Sequence, residues 1–378
     1  MDPVLARRSP LTDSDSRPLQ NWIANPYRDW QTRFPGHRAF AYFCTYAPLE
    51  LLHAAGFTPV RLMQLPGPIS LADAHIPSFS CALARTTTER LAQGELNWLQ
   101  GVLFVHTCDT MQCLADIWRM ARPSFRVIPL SLPTVLSHPG ARDYWLAELH
   151  RLAALLQSEF GSAVKKESLR ASIASYNQQR RLLAMLYERR GPAQQRWALT
   201  TASMLMPVTE HNALLQSFLD GAAGTSSTAD ERPAVILVGA ILDDPAILQL
   251  IEELGGRVVG DDLCTGSRFF QELVDETKEP FAALAERYMQ RPSCPAKHSP
   301  TEQHAERLQQ LLQDTSAQGV VFVLPKFCDP HAFDYVPLRA DLSRAGVPHL
   351  LIETDVTTPT GQLRTRLQAF LEMLRQRS

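Results

Sequence analysis

The sequence predicts an α/β chain in which two parallel-sheet domains are joined by a helical segment. Three observations carry that reading. The run Gly319-Val-Val-Phe-Val-Leu-Pro325 is apolar, β-branched and of strand length, and a helical pattern from Val336 to Ala345 begins just beyond Cys328. Gly101-Val-Leu-Phe-Val-His-Thr-Cys-Asp109 repeats the glycine, the strand and the Cys-Asp pair, with a helix following from Thr110 to Met120. Ala39 to Met63 and Pro233 to Gly260 each read as strand, helix and strand. The repetition suggests an internal duplication.

Residues 1–36 are polar and rich in Pro and Arg, with a helix expected around Leu19 to Phe34, and form an N-terminal arm. The first α/β domain is expected over 37–140. Its strand Ala39 to Phe43 ends at Cys44, Pro48 opens a helix through Ala55, and Gly56 stops it before the strand Thr58 to Met63. Cys81 opens a helical stretch from Ala82 to Leu99, the next strand ends near Cys108, and Phe125 to Ser131 closes the domain. Residues 141–232 are expected to be a helical connector, with long segments at Tyr144 to Phe160 and Leu169 to Glu188, ending in a Gly/Ala/Ser/Thr-rich linker from Gly221 to Arg232. The second α/β domain spans 233–378. Its helix Pro245 to Leu254 is stopped by Gly255-Gly256, Cys264 follows the strand from Arg257, and Cys294 lies in the loop after the helix Pro280 to Met289. A helix from Glu302 to Leu312 precedes the Cys328 unit, Val347 to Glu353 is the last strand, and Gly361 to Leu374 the closing helix.

At 378 residues and 45% hydrophobic content the chain can bury a sizeable core. A formal net charge of -2 argues against nucleic-acid binding, for which a strongly basic domain is usual. No apolar run approaches the roughly 18 to 20 residues of a membrane helix. Asp2, Arg7, Arg8, Asp13, Asp15 and Arg17 are unlike a signal peptide, so the expected location is the cytoplasm. Seven cysteines there would stay reduced, which leaves metal binding, redox chemistry or plain burial as their use.

Cys44, Cys108 and Cys328 fall at expected strand-to-helix turns, where the carboxyl ends of an open sheet form a ligand crevice and helix amides favour a thiolate. Three thiolates meeting there suit a 4Fe-4S cubane with one iron open to a substrate, whereas buried cysteine also packs as a small hydrophobe. Cys81, Cys264 and Cys294 form a second set, which either binds another cubane, lines the crevice or packs. A zinc site from Cys294 and His298, or from His106 and Cys108, lacks the usual paired spacings. Cys113, inside the helix after Cys108, is expected in the core.

Four stretches resemble a known family: Cys44-Thr-Tyr-Ala-Pro-Leu-Glu-Leu; His106-Thr-Cys-Asp-Thr-Met-Gln with Asp116-Ile-Trp118; Asp261-Asp-Leu-Cys-Thr-Gly-Ser-Arg268; and Lys326-Phe-Cys-Asp-Pro-His-Ala-Phe-Asp-Tyr335. They are similar, in order, to subunits of the 2-hydroxyacyl-CoA dehydratase and benzoyl-CoA reductase family, over about Ala39 to Leu374. The resemblance implies two Rossmann-like or flavodoxin-like domains with a cluster between them, held by Cys44, Cys108 and Cys328. It also implies an acyl-CoA substrate, low-potential electron transfer of the ketyl-radical type, a homologous second subunit or a second copy, and an ATP-hydrolysing iron-sulfur activator as electron donor. A branch of the family carries a double-cubane 8Fe-9S cluster and reduces small molecules. Cys44, Cys81, Cys108, Cys264, Cys294 and Cys328 supply the six thiols that branch needs. A non-catalytic electron-transfer subunit is the remaining alternative.

Glu50, beside Cys44, is a candidate acid or base, with helix-dipole stabilisation as its ordinary alternative. Arg85, Arg268 and Lys297 are candidates for the phosphates of a CoA ester. His106 is either a partner tuning a cluster or a structural histidine, and Asp109, Asp329, Asp334 and His331 surround the cysteine turns. There is no Walker P-loop, so any ATP dependence belongs to a partner.

Overall fold

A computed structural model describes residues 16–189, 191–221, 231–292, 294–295, 301–356 and 360–377. The start of the expected arm, linker residues 222–230, and Lys297 and His298 lie outside the described residues. In chain order the elements are α1 (Ser16–Ile23), α2 (Trp30–Arg33), β1 (Ala39–Tyr42), α3 (Leu49–Ala54), β2 (Thr58–Arg61), α4 (Ala82–Gln93), β3 (Val102–His106), α5 (Asp109–Ala121) and β4 (Val127–Ser131). Four helices follow: α6 (Ala141–Phe160), α7 (Lys166–Glu188), α8 (Ala193–Ala202) and α9 (Val208–Gly221). The second half holds β5 (Ala234–Gly239), α10 (Ala246–Glu253), β6 (Arg257–Asp262), α11 (Ser267–Phe270), α12 (Pro280–Gln290), α13 (Thr301–Thr315), β7 (Gly319–Pro325), α14 (Asp329–Arg344), β8 (His349–Thr354) and α15 (Thr360–Arg377).

The strands form two four-stranded sheets in the orders β2-β1-β3-β4 and β6-β5-β7-β8, parallel throughout. Both are α/β sheets of one strand order, as the repeated units predict. The central strands β1, β5 and β7 are buried along their whole length, as a sheet covered by helices on both faces requires. Pro59 and Pro129, which cannot donate to a ladder, sit on the edge strands β2 and β4. At Gly239 an added Cβ would stand 2.0 Å from the Val323 carbonyl oxygen, so only glycine lets β5 turn off this close to β7.

The rest of the chain packs onto these sheets. The expected single helix over Leu19 to Phe34 is two, and the described part of the arm is built in: Trp30 is fully buried and its Nε1 donates to the Leu205 carbonyl at 2.8 Å. Trp145, Leu149, Leu169 and Ile173 from α6 and α7 share one core with Phe40, Leu103 and Ile128 of the first sheet. Trp197 of α8 donates from Nε1 to the Leu242 carbonyl at 2.7 Å, which ties the helical segment to the second sheet. Among the described residues no helix is long and apolar enough to cross a membrane.

A cysteine-lined chamber as candidate functional site

In both sheets the chain reverses direction of travel between the two central strands, and a crevice opens at the carboxyl ends on either side of such a point. Cys44 and Cys108 follow β1 and β3; Ala240 and Cys328 follow β5 and β7. A cavity of about 120 Å³ lies there, and Cys44, Cys81, Cys108, Cys264, Cys294 and Cys328 all line it, with Arg61 and His331. Phe43, Leu83, Met111, Ile241 and Phe327 supply much of the remaining wall.

Local structure explains each placement. Cys81, Cys108 and Cys328 are the residues immediately before α4, α5 and α14, so the first free amides of those helices face their sulfurs. Cys44 accepts from the Tyr46 amide at 3.4 Å. Cys264 is held by its own amide, which donates to the Ala240 carbonyl at 2.7 Å, in a turn where an added Cβ at Gly266 would meet Asp261 Oδ1 at 2.0 Å. Phe327, just ahead of Cys328, has φ 61°, a left-handed conformation that a bulky side chain rarely adopts.

Burial pushes the Cys44 and Cys328 thiols up to about 12 and Cys81 to about 11, and it also raises Cys108. The amides of Leu83 and Ala84 at Cys81, and of Thr110 and Met111 at Cys108, offset part of that penalty. Cys264 goes the other way. The Cys294 side chain, aided by His331 and the Arg268 charge, holds it well below the usual thiol range against its burial. Ligand atoms of Cys264, Cys294 and His331 lie within 4.8 Å of one another, close enough to share a metal ion.

The charges each sulfur feels link all six. Cys328 is influenced most by Cys81, then by Cys108 and Cys264, and Cys81 by Cys108. Cys44 is influenced by Cys264, which in turn meets Cys294. The sequence groups Cys44 with Cys108 and Cys328; all three line the chamber, and Cys264 influences both Cys44 and Cys328.

Behind Cys264 stands a buried ionic cluster. Arg268 Nε and Nη2 donate to Asp262 at 2.9 and 2.8 Å, Arg307 meets Asp262 at 2.8 Å, and His304 bridges Asp262 (2.8 Å) and Asp334 (2.6 Å). Burial works against a charged His304, but its two carboxylate partners outweigh it and raise its pKa. Arg268, Arg307 and His304 thus meet two carboxylates, and Arg268 turns its remaining nitrogen toward Cys264, with Nη1 3.6 Å from the sulfur.

The other expected site residues lie elsewhere. Glu50 is 2% exposed and takes a hydrogen bond from Arg180 Nη2 outside the chamber. Burial opposes its ionisation, yet the Arg180 and Arg287 charges hold its pKa below the ordinary carboxylate range. Arg85 meets Asp73 at 3.0 Å near the surface, and Arg268 is buried in the ionic cluster. His106 pairs with Ser131 Oγ at 3.3 Å. Cys113 is a correction: it is exposed, because Met111, Leu114, Ala115 and Trp118 make the buried stripe of α5 and position 113 falls off it. Arg61 and the placement of His331 against Cys264 and Cys294 were not found from the sequence, where Arg61 falls inside the expected strand Thr58 to Met63.

Known proteins with similar sequences share most of the chain's length. The (R)-phenyllactyl-CoA dehydratase beta subunit of Clostridium sporogenes is 28% identical over 90% of this chain and 92% of its own. A benzoyl-CoA reductase subunit of Thauera aromatica is 28% identical over 85% and 87%, and the lactoyl-CoA dehydratase beta subunit of Anaerotignum propionicum 28% over 94% and 97%. A family model described as "2-hydroxyglutaryl-CoA dehydratase, D-component" matches residues 44–374, from the first chamber cysteine into the last helix, and the chain belongs to that family.

Proposed function

We propose that this chain is the iron-sulfur subunit of a low-potential enzyme acting on an acyl-CoA thioester, by dehydration of a 2-hydroxyacyl group or reduction of an aromatic one. The observation that supports it is the convergence of six cysteines on one chamber. Thiolates select iron-sulfur clusters, zinc or copper(I), and six exceed the four ligands a structural zinc ion takes. In this reading Cys81, Cys108 and Cys328 hold one cubane and Cys44, Cys264 and Cys294 stand ready for another. A bound cluster supplies one-electron transfer at low potential. The chain's own residues line the chamber with Phe43, Leu83, Met111 and Phe327, face three sulfurs with helix amides, and favour the thiolate of Cys264 through the Cys294 side chain, His331 and Arg268. The substrate class follows the relatives, which are named for CoA thioesters.

Each of these relatives is named as one subunit of its enzyme, which supports a homologous second subunit or a second copy as partner. With no P-loop in the sequence, an ATP-driven electron donor would be a separate protein. A second reading has its own support. Six thiols in one chamber, where one cubane needs three, suit a double-cubane cluster and the reduction of a small molecule.

Iron and acid-labile sulfide per chain, on protein purified without oxygen, test both readings. About eight irons, falling to about four in Cys44→Ala/Cys264→Ala/Cys294→Ala, mean two cubanes and favour the second reading. About four in both proteins mean one cubane on Cys81, Cys108 and Cys328. Iron in neither sinks both.

A further inference from the structure

Arg61 is a charge in the chamber that the cysteines do not explain. It ends β2, its side chain lines the cavity, and it is 2% exposed. Among the described residues its Nε and Nη1, both buried, have no hydrogen-bond partner. The backbone is fixed on both sides, the amide donating to the Met204 carbonyl at 2.9 Å and the carbonyl accepting from the Tyr27 hydroxyl at 2.9 Å. The strand end that carries the guanidinium is therefore held by the fold rather than loose.

Among the described residues no carboxylate comes within ion-pair distance of it. The acid whose charge it does influence is Asp243, where Oδ2 accepts from the Gln64 amide at 2.7 Å and Oδ1 is itself without a partner. Burial pushes Asp243 up to about 6, and the Arg61 charge offsets part of that rise. A guanidinium that is buried, charged and unpaired is among the costliest groups a fold can carry, and such groups are normally paired or bound to a ligand.

We propose that Arg61 is an anion-binding residue of the chamber, its guanidinium donating to one small anion lodged among the thiols. The planar fork of arginine suits two parallel donations to a single anionic sulfur or small oxyanion. A cluster sulfide and an anionic oxygen of a substrate share that chemistry. The inference deepens the reading of the chamber as a ligand site but stands on the unpartnered guanidinium, and it does not require iron.

Azide is the probe, titrated without oxygen into the full-length, metal-free chain and followed by its infrared stretch. The wild type is expected to give a saturable, shifted band, with binding roughly 10- to 100-fold weaker in Arg61→Met and less weakened in Arg61→Lys. A folded wild type without a saturable band, or an Arg61→Met variant of equal affinity, overturns the proposal. Should Arg61→Met fail to fold, Asp243→Asn decides: removing the neighbouring negative charge tightens azide binding several-fold, whereas unchanged or weaker binding means that a water between Arg61 and Asp243 occupies these donors. Sulfide analysis of iron-loaded Arg61→Met then separates the sources. Less sulfide per chain than wild type assigns the anion to the cluster, and unchanged sulfide assigns it to the substrate. A wild type that binds azide yet holds no iron would refute the iron-sulfur reading and leave Arg61's role standing.

Discussion

Arg268 Nη1 lies 3.6 Å from the Cys264 sulfur while the other edge of the same guanidinium forks onto Asp262, at 2.9 Å from Nε and 2.8 Å from Nη2. One side chain therefore both neutralises a buried carboxylate and charges the chamber wall. Arg268→Met leaves Asp262 facing only Arg307 and His304, and breaking a buried pair of this kind costs about 3–5 kcal/mol. Urea denaturation of the metal-free protein without oxygen measures it. Arg268→Met/Asp262→Asn is expected to recover about half of the loss. A single-variant loss below about 1 kcal/mol would mean that Arg268 is not structural.

Glu50 and Arg180 form the second buried pair, with side chains 2% and 7% exposed. Arg180 also donates to Asn177 Oδ1 at 3.0 Å, and Asn177 to the Val274 carbonyl at 2.8 Å, so Glu50 anchors α3 to α7 and to the segment after α11. Glu50→Gln should cost about 3–5 kcal/mol, and Glu50→Leu/Arg180→Met should restore most of it with turnover per folded molecule intact. A double variant that folds but does not turn over would make Glu50 an acid or base after all.

His211 sets a pH limit. The Gln179 amide nitrogen donates to Nδ1 at 3.1 Å and also approaches the Ser203 carbonyl, so Nδ1 is the acceptor and Nε2 carries the proton given to the Leu199 carbonyl at 2.9 Å. Burial lowers this histidine to about 4, and the Leu199 bond offsets part of that. The unfolded chain, with an ordinary histidine near 6.5, binds more protons between these values. The stabilisation is complete above about pH 6.5 and is lost as pH falls toward 4, by about 3 kcal/mol. Denaturant midpoints from pH 7 to 4.5 should fall less steeply in His211→Gln than in wild type; equal slopes would exclude His211 as the cause.

The strand-helix units were legible because apolar runs, glycines and helix-opening prolines mark local structure, and the Cys-Asp pairs sit where those marks change. That all six thiols meet in one chamber was not legible, because it depends on how two sheets face each other, which no local pattern encodes. Arg61 was missed for the same reason: its lack of a partner is a property of the packed chamber. The buried packing of Trp22, Trp30 and Phe34 in the arm had a sequence signal in the aromatics themselves, outweighed by the polar and proline-rich residues around them. Cys113 was within reach, since the stripe Met111, Leu114, Ala115 and Trp118 already has helical spacing and excludes it.

That exclusion gives the last prediction. Cys113 is exposed, while Cys294 is buried and the other five are partly buried around the chamber. Burial also keeps Cys44, Cys81, Cys108 and Cys328 protonated near neutral pH, and a thiol reacts as its thiolate. Maleimide added without oxygen to the folded, metal-free chain should therefore label Cys113 fast, as located by peptide mass analysis, with those four labelled only slowly or after unfolding; Cys264, whose pKa is lowered, is the one chamber sulfur expected to compete. Cys113→Ser should remove the fast adduct at this position, shift stability by less than about 0.5 kcal/mol and leave the iron content of the loaded protein unchanged. Fast labelling at Cys44 or Cys328 would show that the chamber is open to solvent, and a loss of iron in Cys113→Ser would return Cys113 to the ligand set.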